Sequence, residues 1–233
     1  LTPDGQTVIF SYEGDLWKAS VNNGQASRLT AMQGYETSPR VSPDGRWIAF
    51  TGRQYGNADV FVMPVNGGDV RQITFHSGND DVSSWSWDSR SIYFNSGRMG
   101  QVAGFKVSAG GGTPQRVFGN YFFQYDHNLV EHPATGEIFF NDTWESSNQV
   151  HRKRYKGPFN PDVQSYNVKT KQHKKYTDWQ GKDFGATIDR NGNIYFISDE
   201  ANGEYNLYTM EKKKKKGLTR FSSSIKTPQV NAN

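Results

Sequence analysis

The sequence predicts an all-β fold: a β-propeller of the six-bladed type, with five blades and the start of a sixth. Three observations predict it. A turn cluster is followed by a short β-type apolar run five times, at intervals of 40 to 56 residues. Each repeat continues into a further strand, a turn rich in Gly, Asn or Lys, and a short closing strand. The longest apolar stretches resemble Val60-Phe61-Val62-Met63, which is strand length. Repeats of this period, each reading as four strands and turns, are the signature of propeller blades.

The turn clusters come first in each repeat. The clearest are Thr2-Pro3-Asp4-Gly5 before Val8-Ile9-Phe10 and Ser42-Pro43-Asp44-Gly45 before Trp47-Ile48-Ala49-Phe50. Weaker copies are Ser86-Trp87-Asp88-Ser89, Pro133-Ala134-Thr135-Gly136 and Asp189-Arg190-Asn191-Gly192. They precede Ile92-Tyr93-Phe94, Ile138-Phe139-Phe140 and Ile194-Tyr195-Phe196. Pro presets φ, Asp bonds its own backbone, and Gly accepts positive φ, so these clusters join two strands by a tight hairpin. The runs are apolar on both faces, as expected for a blade sandwiched between neighbours.

The third strands read as Asp15-Leu16-Trp17, residues 59–63, residues 162–166 and Asn206-Leu207-Tyr208. The closing strands end at Thr30, Thr74, Phe118, Thr177 and Thr219. This divides the single domain, residues 1–233, into blades at about 1–30, 31–74, 75–118, 119–177 and 178–219, with a sixth starting over 220–233. Blade one lacks its innermost strand, and residues 227–233 read as the innermost strand of the sixth. Six blades of this size need roughly 270 residues, so the ring reads as incomplete and the sequence as a piece of a longer protein. An incomplete ring leaves strand edges unpaired, which predicts lower stability or self-association.

Composition narrows the function. Apolar residues make up 34%, or about 44% with the 24 glycines, which is near the globular range. Net charge is +4, too small an excess to predict a nucleic-acid partner. The one dense run, Lys212 to Lys216, reads as a solvated hairpin tip, with a basic patch for nucleic acid or membrane as the alternative. There is no cysteine, so disulfides, thiol catalysis and Cys-based zinc sites are excluded. No apolar run reaches the roughly 18 residues of a membrane span.

No Gly-x-Ser-x-Gly elbow, His-Glu-x-x-His motif or phosphate loop occurs. The five histidines are scattered, so no metal or other cofactor is expected, and a metal-dependent lyase on a propeller is disfavoured. Asn141-Asp142-Thr143 is a glycosylation triplet by pattern only. No catalytic residue is expected in this chain.

Two groups remain as candidates. The fourth repeat carries an insertion near residues 141–162 that contains Arg152, Lys153, Arg154 and Tyr155. These cations beside an aromatic either grip a carboxylate or acidic peptide or belong to a solvated connection between strands. The second group lies on the innermost strands, which line a propeller's channel: Arg40, Ser83, Trp85, His127 and Asn128. A peptide docks there, or these residues pack the core.

The ordered set of motifs resembles one family. Gly14-Asp15-Leu16-Trp17, residues 42–50, residues 56–64, Gly67-Gly68 with Gln72-Ile73-Thr74, and Ile194-Tyr195-Phe196-Ile197-Ser198-Asp199 are similar to the N-terminal six-bladed propeller of tricorn-like serine peptidases. Residues 152–157 stand where that family has a Trp-Lys-Arg-Tyr-Arg-Gly-Gly-like stretch, and the resemblance covers essentially the whole chain. It implies a non-catalytic domain that gates or docks peptides and supports assembly, while a serine nucleophile elsewhere in the parent protein hydrolyses them. Implied partners are peptides or proteins, the remaining domains of the parent chain, and a further copy in the intact assembly. An extracytoplasmic or periplasmic location is expected, with the cytoplasm as the alternative.

Two departures stand out. The family's Arg pair, which anchors substrate C-termini after the second blade, is absent from the acidic stretch of residues 76–82. Gln164 stands where Trp is usual. The second reading is a TolB-like periplasmic interaction scaffold without peptidase activity.

Overall fold

The computed structural model describes residues 1–118 and 125–230. They fall into two compact units, one on either side of the undescribed segment. The first holds three antiparallel sheets. These are β1 (Thr7–Tyr12), β2 (Asp15–Ser20) and β3 (Ala26–Arg28); then β4 (Glu36–Val41), β5 (Trp47–Tyr55), β6 (Asn57–Pro64) and β7 (Arg71–Gln72); then β8 (Asp80–Trp85), β9 (Ser91–Ser96), β10 (Ala103–Ser108) and β11 (Gln115–Arg116). The second holds two: β12 (His127–Glu131), β13 (Ile138–Asn141), β14 (Gln164–Asn167) and β15 (Gln172–Lys175), followed by β16 (Asp183–Ile188), β17 (Ile194–Ser198), β18 (Asn206–Glu211) and β19 (Lys214–Gly217). In every sheet the strands lie in chain order, so each repeat is one meandering blade. The fold is an all-β propeller with five blades, the first of three strands as expected.

Alternation along the strands shows why apolar residues occupy both faces. Ile48 and Phe50 of β5, with Phe61 and Met63 of β6, pack against Ile9 and Leu16 of the first sheet. Their neighbours Ala49, Val60 and Val62 turn the other way, onto Val82, Trp85, Ile92 and Phe94 of the third sheet. Successive side chains on a strand point to opposite faces, so one strand contributes to two cores. Each fully buried Phe or Ile contributes about 1.5–3 kcal/mol. In the second unit Phe196 faces Phe139 and Val163, while Ile197 faces Phe184 and Tyr205.

The turn clusters behave as their composition requires. Ser42 Oγ donates to Asp44 Oδ1 at 2.5 Å and accepts from the Trp47 amide at 3.0 Å. Asp44 Oδ1 accepts from the Arg46 amide at 3.1 Å. Gly45, at φ 74°, donates to Ser42 O at 2.8 Å. Thr2-Asp4 and Ser86-Asp88 repeat the pattern.

The closing threonines are clasps. Thr74 Oγ1 accepts from the Val60 amide at 2.9 Å and donates to Asp59 Oδ1 at 3.2 Å. Thr177 does the same with Val163 and Asp162, and Thr219 with Leu207 and Asn206. Thr30 accepts from Leu16 and donates to Glu36 instead. In each case the hydroxyl satisfies a strand amide that would otherwise be buried without a partner.

The inner strand of each complete blade carries a register shift. The shifts lie between Thr37 and Arg40, Val82 and Ser84, His127 and Val130, and Phe184 and Thr187. Ser38, Asn128 and Gly185 take left-handed φ of 53°, 55° and 66° there. Such bulges bend a strand and re-aim its side chains. The sixth inner strand expected over 227–233 is not formed over residues 227–230, and 231–233 lie outside the described residues. Thr227 nonetheless takes φ 49° before Pro228, matching Ser38 before Pro39. Pro228 lies against Gly185 of β16, where an added Cβ would stand 3.8 Å from its Cδ.

Candidate functional site

In the first unit the inner-strand candidates β4 and β8 are cross-linked. Arg40 Nε donates to Ser83 O at 2.8 Å, and Trp85 Nε1 donates back to Arg40 O at 2.8 Å. Trp85 and Ser83 are buried and Arg40 is half-buried. Burial pulls the Arg40 guanidinium down to about 10, still charged at neutral pH. Arg40 and Trp85 therefore tie one inner strand to the next. In the second unit Asn128 Nδ2 plays the same part, donating to Ala186 O at 3.3 Å.

His127 is held by protein hydrogen bonds. Its ring is buried, and Nε2 lies 3.0 Å from Thr143 O and 2.8 Å from Ser146 Oγ. A carbonyl only accepts, so Nε2 carries the proton toward Thr143. Ser146 and His127 stand at the distance a nucleophile and base require. However, Ser146 is buried and its own hydroxyl donates to Thr143 O at 3.0 Å. Burial also holds the imidazole down at about 4. These bonds fasten the root of the insertion. Among the described residues, no group of three or more metal-ligating side chains occurs.

The insertion begins with a 3-10 turn, Trp144–Ser146, whose Glu145 is fully buried. Glu145 Oε2 pairs with Lys182 Nζ at 2.9 Å, and Oε1 pairs with Arg152 at 3.2 Å. The buried Lys182 ammonium also donates to Glu145 O and to Gln149 O, at 3.3 and 2.7 Å. Arg152 lies over the Tyr155 ring, 3.8 Å from its centroid. Lys153 pairs with Glu204 at 2.6 Å, and Arg154 lies 3.7 Å from the same carboxylate. Lys153 and the Ser224 hydroxyl hold the Glu204 carboxyl below its usual range. Gly203, at φ 75°, gives Arg154 room to lie across the turn, because a Cβ there would collide with the Arg154 side chain.

The structure thus brings Arg152, Lys153, Arg154 and Tyr155 together with His127 around one rooted insertion. Arg40, Ser83, Trp85 and Asn128 serve strand-to-strand links. Glu145, Lys182 and Glu204 escape sequence reasoning; the only signal is that the insertion's cations need buried counter-charges. Arg152, Lys153, Arg154 and Lys182 pair with two carboxylates, Glu145 and Glu204, so these four cations outnumber the acids they meet. Arg154 is 68% exposed and Arg152 40% exposed. Such guanidinium groups hold a carboxylate by paired, charge-assisted hydrogen bonds. Asn141 is fully buried, its amide donating to Asp162 O and Asp183 O, which closes the glycosylation triplet to modification.

A family model, the tricorn protease N-terminal beta propeller domain, matches residues 2–232. The chain belongs to this propeller family. Tricorn protease homolog 1 of Streptomyces coelicolor is 40% identical over 63 residues, which is 27% of this chain and 6% of that protein. The crystal structure of the tricorn protease superposes with a TM-score of 0.77 at 20% identity, over 94% of this chain and 22% of the other. TolB from Acinetobacter baumannii superposes at 0.73 and 18% identity, over 98% of this chain and 55% of that one. At those identities the two structures speak to the fold alone. The tricorn propeller chain described here spans a small part of the tricorn proteins it matches.

Proposed function

We propose that this tricorn-type propeller is the non-catalytic docking and gating domain of a serine peptidase. In this reading it receives peptides through the cationic insertion, and the remaining domains of the parent protein hydrolyse them. The observation that carries the reading is the exposed guanidinium pair, Arg152 and Arg154, held on a rigid blade by Glu145, Lys182 and Glu204. Loops fixed on rigid scaffolds are where binding residues sit. A bound peptide's carboxylate would complete the charge balance that Glu145 and Glu204 leave short.

The experiment has two arms. The chain alone, mixed with fluorescent peptides carrying free C-terminal carboxylates, is expected to bind them without cleaving them. The parent protein is expected to cleave them and to be silenced by a serine-directed reagent. Cleavage by the chain alone that survives repurification and yields to that reagent would refute the non-catalytic assignment. A parent that never cleaves peptides would overturn the peptidase reading.

A further inference from the structure

The second unit carries a feature that peptide docking does not use. Nine of the chain's fifteen lysines lie in two hairpins, residues 167–175 and 211–217, which contain one acidic residue and no arginine. They are the hairpins β14–β15 and β18–β19. Strands β15 and β19 are the edges of their sheets, and both are largely exposed. The two turns join the third and fourth strands of successive blades packed face to face, so they emerge at the same end of this unit.

Three of the nine lysines have partners: Lys175 with Asp162, Lys215 with Asp183 and Glu200, and Lys216 with Glu211. Lys169, Lys171, Lys174, Lys212, Lys213 and Lys214 are exposed and make no ion pair among the described residues. Lysine on an edge strand commonly blocks edge-to-edge pairing. The other unit protects its edges without it: β3, β7 and β11 contain no lysine. Six unpaired ammonium groups in two neighbouring hairpins of one unit exceed that need.

The residue type indicates the partner. Lysine heads are hydrated point charges without the planar fork that grips a single carboxylate or phosphodiester. Single-stranded nucleic acid wants aromatic platforms, but the rings beside β15 are packed on one another, His173 on Tyr166 and Phe140. A set of lysines at one end suits a surface of spread negative charge. Val168, 41% exposed, stands in the first turn beside Lys169.

We infer that this lysine rim binds the anionic headgroup surface of a phospholipid bilayer peripherally, through the tips of β14–β15 and β18–β19. The full 233-residue chain is mixed with vesicles of phosphatidylglycerol and phosphatidylcholine, or of phosphatidylcholine alone, and sedimented. Binding is expected to the anionic vesicles only. It should be released at roughly 0.5 M salt, where screening cuts the interaction range to a few ångströms. Replacing Lys212, Lys213 and Lys214 by Gln is expected to weaken partitioning about a hundredfold, at about fivefold per lysine near an anionic surface. Lys169→Gln with Lys171→Gln and Lys174→Gln should act alike. Unchanged melting temperatures in these surface variants are the folding control. Arg46→Gln with Arg71→Gln and Arg90→Gln, the same charge change in the other unit, should leave partitioning intact. No vesicle binding, equal loss in the Arg variant, or tighter capture by polyglutamate or duplex DNA than by the vesicles would each overturn the inference.

Discussion

Lys182 Nζ lies 2.9 Å from Glu145 Oε2, and neither side chain is exposed. The two residues are 37 positions apart, one at the start of blade five and the other in the insertion of blade four. Removing Lys182 leaves the buried Glu145 with the partly exposed Arg152 as its one remaining ion-pair partner, and breaking a buried pair costs up to about 3–5 kcal/mol. Lys182→Met is therefore expected to unfasten the insertion. Trypsin should then cut at Arg152, Lys153, Arg154 or Lys156 well before it cuts the blades. The double variant Glu145→Gln with Lys182→Met should recover part of the lost resistance, because the buried carboxylate charge is gone as well. Equal digestion of wild type and Lys182→Met would contradict the fastening role.

The threonine clasps make a second prediction. Thr177→Val removes the acceptor of the Val163 amide while keeping the side chain's shape. A buried amide without a partner costs about 1–3 kcal/mol, to be read from urea unfolding. Thr177→Ser keeps the hydroxyl and should cost much less. If Val and Ser prove equal, the hydroxyl is not what holds the strand.

A third prediction concerns acid. Burial lowers His127 from 6.5 to about 4, so the unfolded chain binds its proton more readily than the folded one across that window. Stability from this group is present above 6.5 and is lost as pH falls toward 4, by about 3 kcal/mol. Asp183 works in the opposite sense. Burial raises it to about 6 against the pull of Lys215, so the folded state holds its proton more tightly. Its contribution grows as pH falls from 6 toward its unfolded value. His127→Gln should flatten the loss of stability between pH 6.5 and 4, and Asp183→Asn should steepen it. Unfolding curves at stepped pH decide both, and identical pH slopes in all three proteins would contradict the assignment.

What the sequence revealed was local. The turn at Ser42-Pro43-Asp44-Gly45 and the clasp at Thr74 are built from bonds within a short stretch of chain, so spacing alone exposed blade, hairpin and closing strand. The two-faced apolar runs showed that β5 and β6 are sandwiched. The insertion was not legible in the same way. Its geometry depends on Glu145, Lys182 and Glu204, which are far apart in sequence and follow no repeat. The inner-strand candidates illustrate the same limit. Register placed Arg40 and Trp85 correctly on β4 and β8, but only their mutual bonds reveal that they join strands. The inner strand expected at 227–233 shows the limit of pattern at a chain end: Thr227-Pro228 takes the bulge conformation of Ser38-Pro39 without a ladder over residues 227–230.

The most direct measurement is fluorescence anisotropy of a labelled peptide with a free C-terminal carboxylate, titrated with wild type and with Arg152→Gln/Arg154→Gln. Charge-assisted hydrogen bonds of about 1.5–3 kcal/mol predict a loss of tenfold or more in affinity, and amidation of the peptide's C-terminus should produce a similar loss in wild type. Equal affinity of both proteins for both peptides would contradict the docking account.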